Sequence, residues 1–279
     1  MMSQGAILVW FALTALSVAF VTIDIRSTPA HPVIKWAFII LTLFTGPFAA
    51  FFYVLGCREP LRGAHEAYVA VRWRQVLGST MHCAAGDGIG ILAGAAIAAH
   101  WRLPAWADFS LEYVLGFGFG WAIFQALAMR DMAGGDYLRS LRQTFLPEFL
   151  SMNLLMAGMV VTMHALMPRI SGGAEPLNVA FWFVMSMALI VGFVFAYPIN
   201  WWLVAKELKH GMITVRSAGE PMQNPKAVSA ERRSHGQGGS SHGAHAAAAG
   251  ASVAARAAMT IVSIAGLVLG VALAEWLGR

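Results

Sequence analysis

Residues Leu146 to Met167 form one apolar segment, LPEFLSMNLLMAGMVVTMHALM, from which the rest of the chain can be interpreted. An α-helix that crosses the hydrocarbon core of a bilayer needs about 20 such residues, so this segment predicts a transmembrane helix. Side chains advance by about 100° per residue, which places one carboxylate and several thioethers within roughly one third of the helix circumference. This stripe consists of Glu148, Met152, Met156, Met159, Met163 and Met167, with Asn153 and His164 on its flank.

The stripe admits two interpretations. Thioether sulfur is a soft donor that suits Cu(I), and imidazole suits copper and other transition metals, so the stripe could be a metal path. Methionine is also a flexible apolar filler where helices pack irregularly, in which case the stripe is packing alone.

The composition excludes a water-soluble globule. The chain has 279 residues, of which 58% are hydrophobic and 12% charged, and its mean hydropathy is +0.63. Such a chain could not cover its apolar surface in water. We therefore expect an all-α, polytopic membrane bundle of about seven transmembrane helices, with the lipid bilayer as its surroundings. The net charge of +5 comes from short loops and not from a basic soluble domain, so no nucleic-acid partner is expected.

The predicted organisation has three parts. Residues 1–204 form a bundle of six spans, with an interfacial amphipathic segment at 57–79 and a kink at Gly46-Pro47 in the second span, about 33–56. Residues 205–256 form a flexible cytoplasmic loop rich in Gly, Ser and His, and 257–279 form a C-terminal anchor helix. Seven spans and the excess of Lys and Arg in alternate loops predict a bacterial inner-membrane protein with a cytoplasmic N-terminus and an external C-terminus.

A second informative stretch is TMHCAAGDGIGILAG, Thr80 to Gly94. Cys83 and Asp87 are four residues apart and therefore share a helix face. A carboxylate inside a span is costly unless it is protonated, paired or hydrated, which makes Asp87 a functional candidate. Together with His82 these residues offer N, S and O donors, so they could bind a metal or relay protons.

Weaker candidates lie in other segments. Glu112 is expected to be solvated at the external interface, and Gln125 to make a helix–helix hydrogen bond. Asn200 could satisfy a carbonyl freed by Pro198. Lys206 and Lys209 are expected to form the positive cytoplasmic flank of the sixth span. Two further sets of residues are weak candidates for metal ligands. One is the pair His210 and Met212, and the other is His235, His242 and His245 of the polar loop, although this loop could equally be a plain linker. No nucleotide-binding or hydrolase motif is found, so an enzyme is not the preferred reading.

Five motifs together resemble a family of prokaryotic multi-pass membrane proteins described as a domain of unknown function, some of whose members are labelled copper oxidase. The motifs are MHCAAGDGIG, LEYVLGFGFGWAIFQ, FLSMNLLMAGM, YPINWWLV and KHGM, and the resemblance covers about 34–212. It implies a helical membrane fold and a link to copper, with no established activity. It also implies polar positions at His82, Cys83, Asp87, Asn153 and Asn200.

Three functions follow from these observations. The preferred one is handling of a soft transition metal, most simply Cu(I), between the methionine stripe and the His82, Cys83 and Asp87 face; copper is then the expected cofactor. The alternative is a proton-coupled permease for a small solute, with Asp87 and Glu148 as proton carriers. The third is a structural or assembly subunit, whose partner is a second copy or another membrane protein. The metal reading requires the helices containing Asp87 and Glu148 to touch.

Overall fold

The computed structural model describes residues 4–61, 64–130, 134–212 and 251–278. These residues form helices and no strand, which confirms the predicted all-α bundle. In chain order the helices are α1 (Gln4–Asp24), α2 (Pro32–Thr45), α3 (Pro47–Gly56), α4 (His65–Val69), α5 (Arg72–Trp101), α6 (Ala105–Gly118), a π-helix (Phe119–Gln125), α7 (Ala126–Met129), α8 (Tyr137–Leu166), a 3₁₀-helix (Met167–Arg169), α9 (Val179–Ala205) and α10 (Val253–Leu277).

Within the described ranges, six helical segments are long and apolar enough to cross a membrane, so this is a multi-pass membrane protein. They are α1, α5, the continuous segment from α6 to α7, α8, α9 and α10. The segment expected as the second span instead forms the two short helices α2 and α3. Two of the other helices begin earlier in the chain than the sequence predicted: α5 starts at Arg72, inside the expected interfacial segment, and α8 starts at Tyr137, before Leu146.

Gly46 separates α2 from α3 by a sharp bend. Its φ of +54° lies in the region that favours glycine, and Pro47 then starts the new helix. The bend lies beside the middle of α1, because a Cβ on Gly46 would be 2.3 Å from Oγ1 of Thr14. The apex of the α2–α3 pair therefore reaches about half the depth of the bundle.

The far end of this pair returns to the face from which it started. Asp24, at the end of α1, accepts a hydrogen bond of 2.7 Å from the Tyr53 hydroxyl and forms an ion pair of 2.9 Å with Arg58. The end of α1, the start of α2 and the end of α3 thus lie together. We call this side of the bundle the hairpin face and the opposite side the terminal face.

Because the α2–α3 pair turns back to the hairpin face, the six long helical segments bring both ends of the described chain to the terminal face. Ile7 of α1 packs there with Ile170 and Ala180, which flank the loop before α9. At the other end of the chain, Gly278 lies near His164, close to the end of α8.

The centre of the bundle is formed by α5, α8 and α9, while α1 and α10 lie mostly on its surface. Glycines allow the backbones to approach closely, as in small-residue packing of membrane helices. A Cβ on Gly158 of α8 would be 2.9 Å from the Cα of Gly192 on α9. A Cβ on Gly270 of α10 would be 2.9 Å from the Cα of Ala157.

The first residues of the expected flexible loop fold back against the bundle at the hairpin face. We call Lys206–Met212 the closing segment. Glu207 adopts a φ of +61°, which turns the chain, and Lys209 and Met212 are buried. Met212 packs so closely on Gly78 of α5 that a Cβ there would be 2.8 Å from the Met212 methyl group. The predicted histidine candidates His235, His242 and His245 lie outside the described residues.

Candidate functional site

A buried cluster of polar side chains surrounds Glu148 of α8. Its Oε2 accepts hydrogen bonds from the Cys83 thiol at 3.0 Å, from Nε2 of Gln125 at 2.9 Å and from Nζ of Lys209 at 3.1 Å. Lys209 and Gln125 also donate to the Cys83 sulfur. Both members of the Lys209–Glu148 ion pair are almost fully buried, with side-chain exposures of 3% and 0%. Four separate parts of the chain therefore converge on one carboxylate.

A second carboxyl group, that of Asp87, lies on the other side of Glu148. A Cβ on Gly120 would be 1.8 Å from Oδ1 of Asp87 and 2.8 Å from Oε1 of Glu148, so the two carboxyl groups face each other across this glycine. Both oxygens of Asp87 and Oε1 of Glu148 are buried and have no hydrogen-bond partner among the described residues. We call Asp87 and Glu148 the carboxyl pair.

The π-helix supplies both the space and one of the donors for this cluster. It begins directly after Gly118 and places Gly120 against the carboxyl pair and Gln125 against Oε2 of Glu148. The wider π-helical turn is shown by the bond from the Ala126 amide to the carbonyl of Trp121, five residues earlier. Such π-helical insertions are rare and occur frequently at functional sites.

The charges in the cluster are unequal, with one ammonium group facing two carboxyl groups. Burial by itself lowers the pKa of Lys209, but the charges and hydrogen bonds of Cys83 and Glu148 outweigh it, so the pKa is raised above its ordinary value. Lys209 therefore remains an ammonium ion. Two carboxylates so close together repel strongly away from water, so the cluster becomes neutral when the carboxyl pair holds one proton.

Lys209 reaches the cluster because of the local fold of the closing segment. After α9 ends, the amides of Leu208 and Lys209 both bond the carbonyl of Leu203, at 2.9 and 3.3 Å. These bonds close a tight turn at the end of the helix, and the Lys209 side chain enters the bundle from the hairpin face. The chain supplies an internal cation where the sequence predicted only the positive flank of a span.

His82 does not join the donor set predicted from the sequence. Its Nε2 contacts the carbonyl oxygen of Phe124 at 3.1 Å, and its Nδ1 is buried without a hydrogen-bond partner. In the part of the chain that the structure describes, no three His, Cys, Asp or Glu side chains are arranged to hold a metal ion. Cys83, Asp87 and Glu148 do come together, so the contact between α5 and α8 that the metal reading required is present.

The methionine stripe faces the interior of the bundle. Met152, Met156 and Met159 are fully buried and Met163 is 6% exposed. Two of these side chains lie against glycines, because a Cβ on Gly116 would be 2.7 Å from the Met152 methyl group and one on Gly192 would be 2.8 Å from Cγ of Met159. The stripe therefore forms a row of sulfur atoms that begins one turn from Glu148 and runs toward the terminal face.

The flanking polar candidates make helix–helix hydrogen bonds. Asn153 accepts from the Tyr113 hydroxyl at 2.6 Å and donates to Ser263 of α10 at 2.8 Å. Asn200 donates to Ser151 at 2.8 Å and to the carbonyl of Ala196 in its own helix at 3.0 Å.

Three further candidates lie away from the carboxyl pair. His164 contacts the Val160 carbonyl near the terminal face. His210 is exposed at the hairpin face, while Met212 packs on α5.

Three residues of the site differ from their sequence-based interpretation. Lys209 was assigned to a solvated flank and Gln125 to ordinary helix packing, yet both donate to Glu148. Glu112 was expected to be solvated, but it is only 2% exposed because α6 packs closely on Gly94 of α5. The one sequence feature that could have drawn attention to Lys209 is its place in the KHGM motif, 209–212.

A family model described as Domain of unknown function (DUF4396) matches residues 72–209. The matched range runs from the start of α5 to Lys209 and includes every residue of the Glu148 cluster. No curated protein and no solved structure matches the chain.

Proposed function

We propose that the domain formed by residues 72–209, which match the model of this family of unknown function, is a proton-coupled permease for a small solute. In this proposal Asp87 and Glu148 carry the proton. The observation that carries it is the carboxyl pair itself, two buried acids that share one lysine cation in the interior of a membrane bundle. Ionisable groups within membrane spans commonly serve as proton carriers.

The proton and Lys209 compete for Glu148. While Glu148 is ionised, Lys209 is held in the cluster and the closing segment is docked on the hairpin face. When Glu148 takes a proton while Asp87 is already protonated, the lysine loses its counter-ion and remains as an unpaired buried cation. An unpaired buried charge costs about 3–5 kcal/mol, which shifts a two-state equilibrium by a factor on the order of 10² to 10³. Protonation of Glu148 therefore favours release of Lys209 with the closing segment, which opens the bundle on this face.

The distribution of positive charge supports an orientation for this cycle. Arg102 and Arg169 are near the terminal face, and the other eleven of the thirteen described Lys and Arg residues are at or near the hairpin face. Positively charged loops stay in the cytoplasm, so we place the hairpin face there and both termini outside, in the inner membrane of a bacterium. This differs from the orientation inferred from seven spans because the α2–α3 hairpin does not cross.

The test is proton flux in liposomes. Purified protein is reconstituted with an internal pH dye, and a potassium diffusion potential drives protons inward. We expect Asp87→Asn to reduce the flux at least tenfold. The matched control is Asp136→Asn, which makes the same chemical change at the exposed N-cap of α8, where Asn caps as well as Asp. Unchanged flux in a folded Asp87→Asn protein would refute the proposal.

A second candidate, Cu(I) relay, is favoured by the buried row of methionine sulfurs that leads to Cys83 and Glu148. In this reading a soft ion would have to displace Lys209 from Cys83 and Glu148. Replacing Met156 and Met159 by Leu keeps the packing volume close to that of the natural side chains. The double variant should lose the copper that the purified, copper-loaded protein binds; equal copper content in both proteins would exclude the relay.

A further inference from the structure

A small cavity lies beside the Glu148 cluster, toward the hairpin face. Its volume is about 20 Å³, which is enough for one water molecule. Its polar lining comes from five side chains: His31, Ser79, His82, Gln125 and His210. Four separate segments of the chain therefore contribute polar groups to a space the size of a single water.

Two of these groups are buried and have no hydrogen-bond partner in the described structure: Oγ of Ser79 and Nδ1 of His82. The residues are 3% and 6% exposed. Because Nε2 of His82 contacts the carbonyl oxygen of Phe124, which can only accept, the ring proton lies on Nε2 and Nδ1 is an acceptor. A serine hydroxyl can donate and accept. Water matches this pair, since it can donate to Nδ1 and accept from Oγ.

We propose that this cavity binds a water molecule that forms the proton inlet from the hairpin face to Glu148. The proposal rests on the proton-coupled function proposed above. Gln125 connects the two sites, because its side chain lines the cavity and its Nε2 donates to Oε2 of Glu148 at 2.9 Å. The charged and titratable groups around His82 include Glu148 from α8, Lys209 and His210 from the closing segment and His31 from the start of α2.

The transfer takes place in two steps. A proton arriving at the water is passed to Nδ1 of His82: a water O–H bond breaks, an N–H bond forms, and the ring becomes an imidazolium. When the Gln125 amide turns aside, the Nδ1 proton returns through the same water to Oε2 of Glu148. The N–H bond then breaks, a carboxyl O–H bond forms, and His82 is neutral again. No other reactant is needed.

The test compares two substitutions of Ser79 with a control on the same helix. Ser79→Ala removes the hydroxyl and leaves the space, while Ser79→Val also fills the cavity. The control is Thr80→Val, which removes a buried hydroxyl bonded to the Val76 carbonyl and does not line the cavity. Each protein is assayed for proton flux in liposomes, and for bound water by radiolytic hydroxyl-radical labelling of Met129, a cavity-lining residue.

We expect Ser79→Val to lose both flux and Met129 labelling at least tenfold, Ser79→Ala to lose flux several-fold, and Thr80→Val to retain both. Absence of Met129 labelling in the natural protein, or full flux in Ser79→Val, overturns the inlet and leaves the proton-coupled function standing. Absence of flux in the natural protein overturns both proposals. Asp87→Asn distinguishes the two roles, because it should abolish flux while Met129 is still labelled.

Discussion

Replacement of Gly120 by alanine tests whether the carboxyl pair is built around this glycine. The added Cβ would be 1.8 Å from Oδ1 of Asp87 and 2.8 Å from Oε1 of Glu148, whereas real Cβ contacts are essentially never below 3.0 Å. The Asp87 carboxyl must therefore move by more than about 1 Å inside a tightly packed core, where overpacking of this kind costs about 1–3 kcal/mol. The carboxyl pair would be pushed apart at the same time.

Gly118, two residues earlier, provides the matched control because a Cβ there meets nothing within 4 Å. Both substitutions gain the same intrinsic helix preference of alanine over glycine, about 0.5–1 kcal/mol. The difference between the two variants therefore isolates the clash. We expect Gly118→Ala to be neutral or slightly stabilising and Gly120→Ala to be less stable than it by about 1–3 kcal/mol.

The measurement is unfolding in mixed micelles with increasing SDS, followed by proton flux for both folded proteins. Gly120→Ala should also lose most of the flux, while Gly118→Ala keeps it. Equal stability of the two variants would show that the carboxyl groups do not pack around Gly120. The geometry assigned to the pair would then be wrong.

Three further predictions concern other contacts. Glu148→Gln should destabilise the protein by about 3–5 kcal/mol, because it removes the carboxylate that Lys209 contacts and leaves the lysine buried. Adding Lys209→Met should recover most of this loss. If SDS unfolding shows no recovery in the double variant, the ion pair is contradicted. Asn153→Leu should cost about 0.6–1.7 kcal/mol, as measured for hydrogen bonds between membrane helices, and a double-mutant cycle with Ser263→Ala that gives no coupling energy would rule out their bond. Burial lowers the pKa of His65 below its ordinary value, so its contribution to stability is present above about pH 6.5 and is lost as the pH falls. Thermal unfolding at pH 7.5 and 5.5 should show a smaller acid-induced loss for His65→Gln than for the natural protein, and equal losses would count against this role.

Some features of the site could be predicted from the sequence because they depend on local patterns. Helical periodicity predicted that the methionines and Glu148 share one stripe of the helix, and the structure shows that Glu148, Met152, Met156, Met159 and Met163 are buried. The cost of a carboxylate in a span marked Asp87 as a functional candidate, which stays a prediction. The requirement that the helices of Asp87 and Glu148 touch is met through the bond between Cys83 and Glu148. Whether any metal binds there stays a prediction.

Other features could not be predicted because they depend on contacts between distant residues. Hydropathy alone cannot distinguish one long helix from two short helices that turn back on each other. The turn at Gly46 is shown by its positive φ and by the ion pair between Asp24 and Arg58, which brings the end of α3 back to the end of α1. Glu112 is buried only because α6 packs on a glycine of α5. Lys209 was interpreted as a flank residue because, in the sequence, it follows a span like any positive anchor.

The sequence by itself determined that the chain is a helical membrane protein and which segments are apolar enough to span a bilayer. It also showed which carboxylates would be costly inside such a segment. These features can be read from the sequence because hydrophobic length, helical period and charge are properties of short segments. Only the tertiary structure decided which apolar segments run through the whole depth of the bundle, which turn back, and what surrounds Glu148. The cluster joins side chains from α5, the π-helix, α8 and the closing segment, and their meeting depends on backbone packing and turn geometry that no one segment contains.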